Sequence, residues 1–121
     1  LGSPSLSTNQ LSLEASGLPA TSFGFFLTSQ QQAFVTGPGG SQGNLCLGGS
    51  IGRYVGPGQI LNSGAGGSFT LPIDLNQIPQ PTGFVVGAVG EAWNFQAWHR
   101  DSVAGSATSN FTDGVEITLT L

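Results

Sequence analysis

No lysine occurs anywhere in this chain of 121 residues, and two arginines are its only permanent cations. At a net charge of −4 there is no cationic stripe to displace counterions from phosphates, which excludes nucleic acid as a partner. An anionic membrane surface is excluded on the same ground. No apolar run approaches the roughly 20 residues of a membrane span, so membrane insertion is not expected. Methionine is absent, and the chain starts at Leu1 with no signal-like stretch, which fits a processed product or an excised domain. Cys46 is the one cysteine. It reads either as a small buried hydrophobe or as a thiol whose partner lies outside this segment. Helix signals are missing too: no window combines apolar residues at helical spacing with caps.

What fills the chain instead is uncharged. Charged residues make up 7% and hydrophobic ones 38%, with 20 glycines and much Ser, Thr, Asn and Gln. Aromatic and β-branched residues recur at regular intervals, which argues against disorder. The length suits one domain that buries roughly two thirds of its unfolded surface. Scarce lysine, abundant Ser/Thr/Asn and the sequon Asn110-Phe111-Thr112 point to a secreted or cell-surface protein, with Asn110 a candidate glycosylation site.

The patterning has period two throughout. After a Ser/Pro-rich lead-in over residues 1–8, Leu11, Leu13 and Ala15 alternate with polar residues, and Gly17-Leu18-Pro19 makes a turn. Phe23 to Ser29 follows, with Phe23, Phe25 and Leu27 in phase, and the two strands are expected to form a hairpin. Gly24 inside the second suggests a bulge or a closely approaching backbone. Residues 37–43 read as a glycine-rich loop, Asn44 to Leu47 and Ile51 to Val55 as strand, and Ser68 to Leu75 as an edge strand marked by Pro72. Glu91 to Arg100 is the centre of the chain: it holds both tryptophans, the only histidine and one of the two arginines. Trp93, Phe95 and Ala97 share an inner face, with Asn94, Gln96 and Trp98 opposite, so a half-buried strand is expected. Residues 101–109 read as a long connection, and Val115, Ile117, Leu119 and Leu121 as the last inner face. Short strands with frequent turn signals predict a single all-β domain over 1–121, an antiparallel β-sandwich of Greek-key or jelly-roll type. Its expected core contains Trp93, Phe95, Phe25, Phe69, Ile73, Ile117 and Leu119.

Constellations for chemistry are thin. Ser41 and Ser50 each stand in a Gly-x-Ser-x-Gly match, and Asp74 and His99 follow in hydrolase order, but no helix follows either serine as that mechanism requires. His99 has no companion His or Cys at zinc spacing. Calcium is the one cofactor with candidate ligands, Asp101 and Asp113, although they lack Asp-x-Asp-x-Asp spacing. No catalytic residue is assigned. Asp74, Glu91 and Glu116 read as outer-face acids. Arg53 lies beside Tyr54, and Arg100 two residues from Trp98, so these four form a candidate platform for a planar or polyhydroxylated ligand. The alternative for the arginines is internal pairing with Asp101, Glu91 or a loop carbonyl, anchoring long loops. Few charges also leave sheet edges weakly guarded, and the last strand, 115–121, or the N-terminal segment could complete a neighbour's sheet.

Phe23-Gly24-Phe25-Phe26-Leu27, the run from Gly39 to Gly48, Gly52-Arg53-Tyr54, Trp93 to Asp101 and Ser109 to Gly114 together resemble a recurring domain at the C-terminal ends of large secreted proteins of planctomycete and myxobacterial type. The resemblance spans nearly the whole chain. It implies an extracellular, non-enzymatic module. Members often carry a cysteine just upstream of where this chain begins, which implies a disulfide from Cys46 to a residue outside it. The expected function is a non-catalytic structural or interaction module for surface attachment, display or strand-mediated assembly. Its partners would be other protein domains, copies of itself or, in the alternative reading as a carbohydrate-binding module, polysaccharide.

Overall fold

The computed structural model describes residues 2–103 and 105–121. Among the described residues twelve strands run in chain order: β1 (Ser12–Ala15), β2 (Phe23–Ser29), β3 (Gln31–Thr36), β4 (Asn44–Gly48), β5 (Gly52–Arg53), β6 (Leu61–Asn62), β7 (Phe69–Pro72), β8 (Ile78–Gln80), β9 (Gly83–Val85), β10 (Ala92–Val103), β11 (Ser106–Phe111) and β12 (Val115–Thr118). All strand pairings are antiparallel, and the one helical piece among the described residues is a 3₁₀ turn at Pro38–Gly40. The molecule is an all-β sandwich.

β10 is its axis because it is the longest stretch of unbroken alternation. It pairs along one edge with β2 and along the other with β12 at Ala92–Phe95 and β11 at Trp98–Val103. Thr112 closes the gap between those two partners: its N–H donates to the Ala97 carbonyl and its Oγ1 accepts the Ala97 N–H, both at 2.9 Å. On the far side of β2 lie β5 and β6, so the main sheet is effectively four strands wide. β1 and β7 form a second, two-stranded sheet. Between the layers sit Leu11, Leu13, Ala15, Phe69, Leu71 and Ile73 from the β1/β7 side, against Trp93, Phe95, Ala97, Phe26 and Leu119. Trp93, Phe95, Leu75, Ile78 and Leu119 are fully buried, and each such side chain contributes about 1.5–3 kcal/mol by leaving water. The C-terminus is tied down within the chain: Leu119 joins the core, and Thr120 bonds the Pro4 carbonyl and accepts from the Leu6 N–H.

Several expectations need correction. β1 and β2 do not form a hairpin; they belong to different sheets, because residues 16–22 cross between them on hydrogen bonds to Gly64 and Gly67. The phase of β2 is shifted by one. Phe26 and Thr28, not Phe25 and Leu27, face the core, since Phe26 stands opposite Ala97 and Phe25 opposite Trp98. Residues 101–109 are no open connection: β10 continues to Val103 and turns into β11, with Ala104 outside the described residues. Nor is β10 half-buried along its whole length. Its second face is covered over Asn94 and Gln96, which are as enclosed as its apolar side. Gly24 does mark a close approach, as a Cβ there would overlap the Trp98 carbonyl.

Candidate functional site

The hairpin of β3 and β4 covers that second face. Asn94 and Gln96 point up from β10 and hold it by amides. Gln96 Oε1 accepts the Cys46 N–H at 2.9 Å, while its Nε2 donates to the carbonyls of Asn44 at 2.8 Å and Thr112 at 2.7 Å. Asn94 Oδ1 accepts from Gln32 Nε2 at 2.9 Å and its Nδ2 donates to the Ser29 carbonyl at 3.2 Å. Gln32 Nε2 also reaches Glu116 at 2.9 Å. Every amide group here is used, which is what makes burying it affordable. The tip of the hairpin runs on past Trp98 along β11, where the Gln42 N–H donates to the Ser109 carbonyl at 2.9 Å, and leaves Trp98 itself half-buried.

Beyond its edge the same face lies open. Directly opposed pairs put Phe111 beside Trp98 and Trp98 beside Phe25, a row of three half-buried aromatics across β11, β10 and β2. Trp98 and Phe25 rings lie 5.1 Å apart, tilted by 31°. The row floors a groove of about 330 Å³, whose walls are Pro38 and Leu45 from the hairpin and Ile51 and Arg53 at β5. Arg53 stands opposite Leu27, on this same face. Arg100, two residues beyond Trp98, carries its guanidinium 5.7 Å from the Trp98 ring centre, in cation–π range. Both arginines are exposed, and among the described residues neither guanidinium has an ion pair or hydrogen bond.

Three of the four expected platform residues are therefore brought together, and one is not. Tyr54 points to the opposite face, where it is 2% exposed within the core. Alternation along β5 requires this: with Arg53 outward, its neighbour turns in. Burial, and to a lesser degree the Asp74 charge, push the Tyr54 phenol far above its ordinary pKa. The residues that replace it, Phe25 and Phe111, were obscured in sequence by the misplaced phase of β2 and by the short look of the strand at Asn110-Phe111. The arginines do not pair with Asp101 or Glu91 as the alternative had it. Asp101 accepts from Asn110 Nδ2 at 3.1 Å and the Ser102 N–H at 2.8 Å, which hold its carboxyl below the usual carboxylate range. Glu91 accepts from Gln30 Nε2, the Ala88 N–H and Trp93 Nε1.

Other candidates disperse. Asp101 and Asp113 line one polar cleft with His99, but both Asp101 oxygens are already bonded and no three acidic, His or Cys side chains gather among the described residues. Calcium thus has no assembled ligand set. Ser41 donates to the Ser109 carbonyl at 3.0 Å, His99 Nδ1–H to the Arg100 carbonyl at 3.0 Å, and Asp74 accepts from Asn9 and Asn76, so these three are each engaged apart from one another. Ser50 lies in the bend after β4. Asn110 commits its amide nitrogen to Asp101, a bond that a glycan there would have to break. Cys46 is half-buried on β4, its thiol 3.9 Å from the Asn44 carbonyl. No family model matches the chain, and no curated protein or solved structure is detectably similar to it.

Proposed function

We propose that this chain is a non-catalytic, extracellular attachment module that binds polysaccharide along the row Phe111–Trp98–Phe25. The observation that carries this reading is an inversion on one strand face. The polar residues Asn94 and Gln96 are buried there, while the aromatic ones beside them are left in an open groove. Folding alone favours the reverse. Flat rings offer apolar area to the faces of sugar rings, and arginines hydrogen-bond their hydroxyls without needing a particular sequence of sugars. The scarcity of charge and the resemblance to terminal domains of secreted proteins support the extracellular setting.

Assembly by strand donation is the weaker version of an interaction module. Donating residues 115–121 would withdraw Leu119 from the core and release Thr120 from Pro4 and Leu6. The test is a polysaccharide array probed with the native chain and with Trp98→Ala. The expected result is binding that the variant weakens by about 2 kcal/mol, roughly thirtyfold, with its thermal unfolding still cooperative. Native protein that binds no polysaccharide, or binds equally well without Trp98, overturns the proposal.

A further inference from the structure

We infer that the polysaccharide is acidic, carrying carboxylates or sulfate esters. This rests on the binding reading above and adds the charge of the ligand. A chain with six acidic side chains has two permanent cations, and both stand on the face of the aromatic row. Neither guanidinium is committed to an ion pair or hydrogen bond among the described residues, and Arg100 leans on the Trp98 ring of the aromatic row itself. Among the described residues no carboxylate lines the groove. On this face the nearest acid in register, Glu116, lies opposite Asn94 and is bonded to Gln32 of the covering hairpin.

The spacing favours a polymer over a single sugar. Arg53 shares a row with Leu27 and Gln96, and Arg100 lies four residues farther along β10 and two strands across. At about 3.3 Å per residue and about 4.8 Å per strand, their Cα atoms are about 16 Å apart, with Trp98 and Phe25 between them. One acidic monosaccharide engages one arginine. An extended chain engages both, and the second contact is then intramolecular. The planar guanidinium suits carboxylate and sulfate alike, through paired N–H donors.

The experiment measures binding of the native chain to polygalacturonate, to dextran sulfate and to two neutral polymers, xylan and dextran, at low and moderate salt. The variants are Arg53→Gln, Arg100→Gln, both together, and Thr70→Glu on the exposed side of β7 as a control that changes net charge as much as either single variant. Acidic polymers are expected to bind at least tenfold tighter than neutral ones, with each arginine variant losing about tenfold, T70E unchanged, and the salt dependence abolished in the double variant. Preference for polygalacturonate assigns uronates, and preference for dextran sulfate assigns sulfate esters. Equal binding to neutral and acidic polymers, or acidic binding untouched by both arginine changes, overturns the inference while leaving the binding proposal standing. Binding to none of the four, repeated across the wider array, overturns both.

Discussion

The two halves of one face of β10 differ in a way that separates what holds this molecule together from what it presents. At Asn94 and Gln96 the face is polar, buried and fully hydrogen-bonded beneath the hairpin of β3 and β4. At Trp98 and Arg100 it is aromatic, cationic and open. The first half is costly to disturb because each amide group replaces a water that cannot return. The second half costs the fold little, since its groups have few partners to lose. Substitutions only two residues apart should therefore behave oppositely.

The largest effect is expected at Gln96. Gln96→Ala strips the Cys46 N–H and the Asn44 and Thr112 carbonyls of their partners, and should lower stability by about 3 kcal/mol in urea denaturation. Trp98→Ala should cost only about 1–2 kcal/mol, the loss of its contacts with Phe25 and Phe111, while removing most binding. If the two costs are equal, the contrast between the halves breaks and the aromatic row is simply structural. A smaller effect comes with acid. The Asp101 carboxyl clamps the β10–β11 hairpin that carries the open half, and Asp74 holds Asn9 and the backbone at Asn76. Both are held below the usual range by those hydrogen bonds, the side-chain bonds from Asn110 and Asn9 contributing most. Their stabilisation is fully present above the unfolded carboxylate pKa, about 4, and is lost as pH falls through the lower folded values. The thermal midpoint should decline below about pH 4, less steeply in Asp101→Asn.

How much of this was readable beforehand follows from which forces act locally. The inner face of β10 and the identity of Phe69, Ile73 and Leu119 as core follow from period-two alternation, because burial and alternation agree there. β2 misled because Phe23-Gly24-Phe25-Phe26-Leu27 is apolar in both phases. Only pairing with β10, about 70 residues away, decides which phenylalanine turns inward. For the same reason the aromatic row could not be assembled from sequence: Phe25, Trp98 and Phe111 meet through register alone. The buried amides were equally hidden, since Asn and Gln on a strand's second face look solvated until a hairpin covers them. Arg53, Arg100 and Trp98 were legible as candidates because rare residues in a nearly uncharged chain stand out.

The smallest effect sharpens the contrast from the other side of the sheet. On the covered half every buried amide finds a partner, whereas the Tyr54 hydroxyl, turned into the apolar core, is buried with none among the described residues. An unpaired buried hydroxyl costs the fold its lost hydration, so Tyr54→Phe should be neutral or stabilising by up to about 1 kcal/mol. The phenol also makes an alkaline prediction. Its folded pKa is raised, chiefly by desolvation, above the unfolded value of about 10. Between those values the folded state holds a proton that the unfolded state releases, so stability is fully present below about pH 10 and falls as pH rises above it. Tyr54→Phe should flatten that alkaline decline in denaturation midpoints while leaving polysaccharide binding at the native level. A Tyr54→Phe protein that lost binding would put Tyr54 back on the platform and undo the separation of the two faces.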